Sequence, residues 1–333
     1  VRQAAMELMT GEQLEEFNRE LEIDFAVSKP GLGRFRVNIF RQKGNVGLVF
    51  RHIKAEIMTV EQLDLPPIVK DIAMTKRGLV LVVGATGSGK STSLAAMIDH
   101  RNTVHAGHII SVEDPIEFVH HHKKSIVTQR EVGFDTHSFG HALKNTLRQA
   151  PDVILIGEIR DTETMEAAIT FAETGHLCLG TLHSNNANQS IERIMNFFPV
   201  ERHAQIYLQL SLNLRAIISQ RLIPSLDGRR VPALEIMLDT PRIKDLIKRS
   251  EIDTLTEAME QGIEEGCQTF DHVLLQLYKA GKISIEQALI NADSANNLRL
   301  KIKLAGLKGD DAVAALLDKN DRDEKGFQIQ GQL

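Results

Sequence analysis

The chain of 333 residues is 42% hydrophobic and 25% charged, a balance that fits about two soluble domains and excludes a fibrous or wholly disordered polymer. No apolar run reaches the roughly 18 residues a membrane-spanning helix needs, and no secretory signal pattern opens the chain. Its 39 basic and 44 acidic residues leave a net charge of −5, without the basic surplus of a dedicated nucleic-acid binder. Cys178 and Cys267 lie far apart in apolar or helical contexts, which reads as two buried free thiols in a reducing compartment, the cytosol.

Residues 3 to 21 place Met6, Met9, Leu14, Phe17 and Leu21 at helical spacing. The chain opens on Val1 close to that pattern, so a preceding segment is expected. Two alternating runs, residues 34–40 and 46–53, joined by a polar turn, predict an antiparallel hairpin with Phe35, Val37 and Ile39 on one face and Arg34, Arg36 and Asn38 on the other. Pro66-Pro67 marks a linker. From Ile68 onward, candidate strands at 79–83, 108–112, 153–156, 177–182 and 231–238 alternate with helices, the signature of an α/β domain with a parallel sheet covered on both faces. Helical stripes run through Phe139, Ala142, Leu143 and Leu147, and through Met165, Ala168, Ile169 and Ala172, the second begun by Asp161 as N-cap and stopped by Gly175. Residues 206–218 and 269–280 also read as helical, and Ser284 to Gln287 as a capping-box start. The expected division is residues 1–55, a linker at 56–67, a nucleotide domain with C-terminal helices at 68–305, and a charged, loosely ordered tail at 306–333.

The segment Gly84-Ala85-Thr86-Gly87-Ser88-Gly89-Lys90-Ser91, followed by Thr92, satisfies the phosphate-loop pattern at every fixed position and lies between a β-branched strand and a helix. Its glycines let the backbone N–H groups turn inward toward a phosphate, and the helix N-terminus adds partial positive charge. Lys90 is then expected to reach the β- and γ-phosphates of ATP, and the Ser91 hydroxyl to ligate Mg²⁺.

Parallel sheets of this class keep their chemistry at the carboxyl ends of the strands. Glu113, Asp114 and Glu117 follow one strand there, and Glu158 another, in the Walker B position. The residue before Glu158 is Gly157 rather than an aspartate, so metal ligation falls to Ser91, with Glu158 acting directly or through water. His176 and His183 bracket the strand 177–182, and His183 at its carboxyl end is the better candidate. His120, His121 and His122 have no such placement and read as exposed. Arg34, Arg36, Arg51 and Arg77 are candidates for stabilising charge on the transferred phosphoryl group, and spacing does not choose among them.

Taken together, residues 147–161, GATGSGKS, Glu113 to Phe118 and Ala172 to Ala187 resemble the secretion ATPases of the type II and type IV pilus class, in which glycine before the Walker B glutamate is normal. Two cysteines cannot build the four-cysteine zinc module of the assembly branch, so the chain resembles the retraction branch, as does the segment Asn291 to Leu300. The resemblance implies a RecA-like P-loop domain with a mainly parallel sheet, preceded by a partial PAS-like α+β domain, in a homo-oligomeric, hexameric ring. It implies peripheral work at the cytoplasmic face of the inner membrane beside a pilus platform protein and a related retraction ATPase, with no nucleic-acid partner. It also implies Glu117 as general base, Glu158 as metal organiser, His183 and His176 as links from the γ-phosphate site to the subunit interface, and Arg51 with Arg34 or Arg36 closing the site. The two competing readings are an accessory ring subunit of weak activity and a RecA-like nucleic-acid translocase.

Overall fold

The computed structural model describes residues 1–53 and 56–306. The chain divides into two compact units: Val1–Leu81 with Lys90–Leu182, and Val82–Gly89 with the chain from His183 onward.

The first unit opens with α1 (Arg2–Leu8) and α2 (Gly11–Glu20). The expected single helical stretch is broken at Thr10, whose hydroxyl accepts from Gln13 N–H while the Gln13 side chain returns to the Thr10 amide. This reciprocal cap starts a new helix and shifts the buried face: Ala5 and Phe17 are core residues, whereas Met6 and Leu21 are exposed. Strands β1 (Glu22–Lys29), β2 (Gly33–Gln42) and β3 (Asn45–Ile53) form an antiparallel sheet in that order. Lys43 and Gly44, both at positive φ, turn β2 into β3 and pair Gln42 with Asn45. Val37 and Ile39 are fully buried, as alternation predicts.

After α3 (Ile68–Ala73), strand β4 (Gly78–Val83) leads to α4 (Lys90–Val104) by way of the glycine loop. Then follow β5 (His108–Glu113), β6 (Ile126–Glu131), α5 (Phe139–Thr146), β7 (Val153–Ile156), α6 (Thr162–Glu173) and β8 (Leu177–Leu182). The strands of this unit lie in the order β4-β8-β7-β5-β6, and β5 pairs in parallel with β6 and β7, as β7 does with β8. The four strands read from sequence here are present. Strand β6 is an addition: its burial is irregular, so it lacks the continuous apolar run of its neighbours. Asp161 caps α6 and Gly175 follows its end at φ 97°.

In the second unit, α7 (Ala187–Met195) and α8 (His203–Asn213) precede β9 (Leu214–Pro224) and β10 (Arg230–Leu238). Helix was expected through residue 218, but the chain becomes extended at Leu214, and β9 pairs antiparallel with β10 from Ala216–Leu238 to Pro224–Arg230. The remaining helices are α9 (Pro241–Lys248), α10 (Leu255–Gln261), α11 (Phe270–Lys279), α12 (Ile285–Ile290) and α13 (Ala295–Leu304). Ser284 caps α12, as read from sequence, and Thr269, read there as the first helical residue, is the N-cap of α11. Phe270, Leu274, Ile283, Ala288 and Leu298 join these last helices to Ile223 and Ala233 in one core. Both cysteines are buried and unpaired by disulfide. The tail expected to be loosely ordered lies, apart from Gly306, outside the described residues.

Candidate nucleotide site

In the second unit, the glycine loop is shaped by its backbone. Gly84, Gly87 and Gly89 hold φ of 147°, 78° and 90°, a region that side-chain-bearing residues rarely adopt. A Cβ on Gly84 would stand 2.5 Å from the Gln220 carbonyl oxygen, and one on Gly89 would stand 2.8 Å from Gln220 Nε2. Buried Gln220 on β9 is therefore the floor against which the loop is pressed. The Ser88 hydroxyl is buried without a hydrogen-bond partner. Above the loop is a cleft of ≈ 310 Å³ reaching Asn185, Arg221 and Arg230, and a second of ≈ 290 Å³ connects Gly84 and Ala85 to His183, Gln189 and Arg193. His183 is thus brought beside the loop.

The segment carrying His183 is anchored from the β9–β10 hairpin. Arg221 donates to the Asn185 carbonyl (3.4 Å) and to Asp293 (2.6 Å), and its guanidinium lies 3.7 Å from the centroid of the Phe270 ring. Glu235, 1% exposed, accepts from the Ala187 amide at 2.7 Å and the Ser219 hydroxyl at 3.0 Å. Burial pushes the Glu235 carboxyl up to about 7 from 4.5. The unfolded chain therefore loses this proton near pH 4.5 while the folded chain keeps it to about 7, so stability falls as pH rises through that window and stays low above it. Relative to Glu235→Gln, the natural chain should lose up to about 3 kcal/mol between these limits. Thermal unfolding of both proteins at pH 5 and pH 8 checks this; parallel changes in midpoint would show that the carboxyl ionises normally.

In the first unit, Lys90 opens α4 at 8% exposure, and its ammonium is pushed down by burial while the Glu158 carboxylate acts in the opposite direction. Ser91 is exposed and Thr92 half-buried on the same helical turn. Gly157, where an aspartate is usual, is closely packed: a Cβ there would lie 3.0 Å from Glu113 Cα and 3.2 Å from the Val112 carbonyl oxygen. Its amide donates to that carbonyl at 2.8 Å, so a side chain there would need the β5 backbone to give by a few tenths of an ångström. Glu158 follows one residue on, within electrostatic reach of Lys90.

Glu113 receives hydrogen bonds from Ser111 Oγ (2.6 Å) and Gln129 Nε2 (3.1 Å) and from the backbone N–H of Glu117. Burial nevertheless pushes its carboxyl above the usual range. Gln129 also donates to the Phe118 carbonyl and accepts from the His120 amide, clamping the acidic loop onto β6. That clamp corrects the reading of the histidine run. His121 and His122 are exposed, but His120 is buried and its imidazole is pushed down to about 4 by desolvation.

Lys90, Glu158, Glu113 and Glu117 are gathered at one edge of this unit. His176 is not with them. It stands at the amino end of β8, its carbonyl accepting from Gly78 N–H and its Nδ1 3.1 Å from the Thr174 hydroxyl. The six residues of β8 put roughly 20 Å between its two ends. Exposed Arg77 immediately precedes Gly78 at the same amino edge. On the N-terminal sheet Arg36 pairs with Asp24, exposed Arg51 lies opposite Arg36 in register, and Arg34 reaches Glu131 at 3.0 Å. Gln129, Glu131, Gln220, Arg221 and Glu235 were not singled out in sequence. Only Glu235 carries a signal there, a carboxylate inside the apolar run VPALEIML.

A family model described as type II/IV secretion system protein matches residues 35–299. The type IV pilus ATPase PilU of Pseudomonas aeruginosa is 55% identical over 316 residues, covering 95% of this chain and 83% of the relative. The type IV pilus retractation ATPase PilT of the same organism is 46% identical over 291 residues, covering 87% and 85%. Among solved structures, the pilus retraction motor PilT with bound ADP aligns with a TM-score of 0.84 at 43% identity, covering 88% of this chain and 84% of that one. The ATPase DotB of Legionella pneumophila aligns with a TM-score of 0.72 at 26% identity, over 84% and 79%.

Proposed function

Because this chain belongs to the type II/IV secretion system protein family, we propose that it is an ATPase of the type IV pilus retraction class, coupling hydrolysis to domain motion in a hexameric ring. The observation that carries the reading is the glycine loop, whose positive-φ glycines leave an anion-sized cradle with an unpartnered buried Ser88 hydroxyl beneath it. Residues 84–92 hold the nucleotide, and Lys90 neutralises its terminal phosphates. The Ser91 hydroxyl and Glu158 carboxylate are the oxygen donors a hard divalent cation prefers, so they fit Mg²⁺. When bound, that ion would neutralise charge on the phosphate oxygens.

Glu117 takes the proton of the attacking water, its backbone held by Glu113. His183, beside Gly84 and Ala85, reads the state of the phosphate end. His176 and Arg77, at the amino edge, serve contacts with a neighbouring subunit, and of the two alternatives beside Arg51 it is Arg36 that completes a site from the N-terminal sheet, Arg34 being held by Glu131. Among the described residues no helix is long and apolar enough to cross a membrane. In this reading the ring works at the cytoplasmic face of the inner membrane, against a pilus platform protein and beside a related retraction ATPase.

The test combines phosphate release from Mg²⁺-ATP with mass measurement of the purified chain with and without ATP. Hydrolysis by a species six times the chain mass is expected. Ring formation without turnover would recast the protein as an accessory subunit, and stimulation by DNA that fades with salt would recast it as a translocase.

A further inference from the structure

The acidic loop is held at two successive amides by two carboxylates from neighbouring strands. Glu113 on β5 and Glu131 on β6 are register partners. The Glu113 carboxyl accepts from the Glu117 amide, and Glu131 Oε2 accepts from the Ile116 amide at 3.1 Å. The Glu131 backbone is itself fixed, its N–H donating to Asp135 Oδ2 at 2.9 Å, and the next amide, Val132, donates to the Glu113 carbonyl at 2.9 Å.

The same Glu131 oxygen receives Arg34 Nη2 from the N-terminal sheet at 3.0 Å, with side chains only 24% and 10% exposed. A charged pair so shielded from water is stronger and more directional than a surface pair. Arg34 Nε is buried with no hydrogen-bond partner, so Glu131 is the carboxylate on which this guanidinium's position rests.

We infer that Glu131 is a positioning residue that ties Arg34 of the N-terminal sheet to the loop carrying Glu117, so that displacement of that sheet is transmitted to the general base. The inference rests on the reading of Glu117 as that base. With Arg34 in place, the Glu131 carboxylate is held from one side and holds the Ile116 amide from the other. When Arg34 leaves, Glu131 keeps a charge in a poorly solvated place and turns toward water, releasing the amide next to Glu117. Proton transfer from the attacking water then suffers, while the glycine loop and the nucleotide it binds do not.

The experiment uses the full chain with Arg34→Gln, Glu131→Gln, the double variant, Arg34→Lys, and Glu117→Gln as reference. Arg34→Gln and Glu131→Gln should each lower kcat by about 10- to 100-fold, the range expected from a small misplacement of a reacting group, with KM for ATP and affinity for a fluorescent ADP analogue unchanged. The double variant should be no slower than either single one, and Arg34→Lys should recover part of the rate. Amide hydrogen exchange at residues 114–119, read without turnover, should accelerate in both single variants. Additive losses, a parallel loss of ADP affinity, or unchanged exchange would overturn the link. If Glu117→Gln turns over normally, the base assignment falls while exchange still decides the link. If Glu117→Gln is inactive and the other variants match the natural chain in rate and exchange, the link alone falls.

Discussion

Lys90→Ala should reduce ATP turnover by at least 10²- to 10³-fold, on the order of what removal of one preorganised charge-stabilising donor costs. Lys90 is 8% exposed at the start of α4, and burial already pushes its ammonium below the ordinary lysine range. Burial of a cation this deeply costs free energy that a bound polyphosphate returns, because the same low-dielectric surroundings strengthen its attraction to the phosphates. Alanine removes the charge while keeping helix propensity, so α4 should persist. Phosphate release from protein with an unchanged circular dichroism spectrum is the measurement. Retention of most of the natural rate would take the glycine loop out of the reaction.

Glu117→Gln should keep affinity for Mg²⁺-ATP and lose the chemical step by about 10²- to 10⁴-fold, the range for removal of a positioned general base. The Glu117 amide is held by Glu113, which is in turn oriented by Ser111 and Gln129. The glutamine side chain is therefore delivered to the same place without a proton acceptor of adequate basicity. Glu158→Gln should behave differently, weakening the metal-dependent part of nucleotide binding, because Glu158 acts on Lys90 and stands where the Walker B carboxylate belongs. Nucleotide titration with and without Mg²⁺, paired with single-turnover hydrolysis, separates the two. Equal loss of binding in both variants would dissolve this division of roles.

The strands that flank the glycine loop and the acidic clusters were readable because each is a short continuous apolar run ending in polar residues, as at β7 and β8. Strand β9 was hidden for a physical reason. Ile206 and Leu210 of α8 continue smoothly into Leu214 and Ile218, so the helical period never visibly breaks. No glycine or proline marks the switch, and pairing with β10 decides it. The N-terminal helix failed in the opposite way: Thr10 and Gln13 form a cap inside a stretch whose apolar spacing looked continuous.

What the sequence by itself determined is the motifs that are local along the chain. The glycine loop, Lys90 with Ser91, the acidic run from Glu113 to Glu117, and Glu158 each need only a few neighbouring residues to be recognised, because the loop's curl and the strand-end placement are short-range properties. Tertiary structure alone decided what supports and separates them. Gln220 lies under a loop more than a hundred residues earlier, Arg34 meets Glu131 across 97 positions, and Gly157 packs closely against β5. His176 and His183, alike in sequence as the two ends of one strand, are set apart by the length of that strand. These are contacts between segments whose local patterns carry no trace of each other, and only packing brings them within hydrogen-bonding reach.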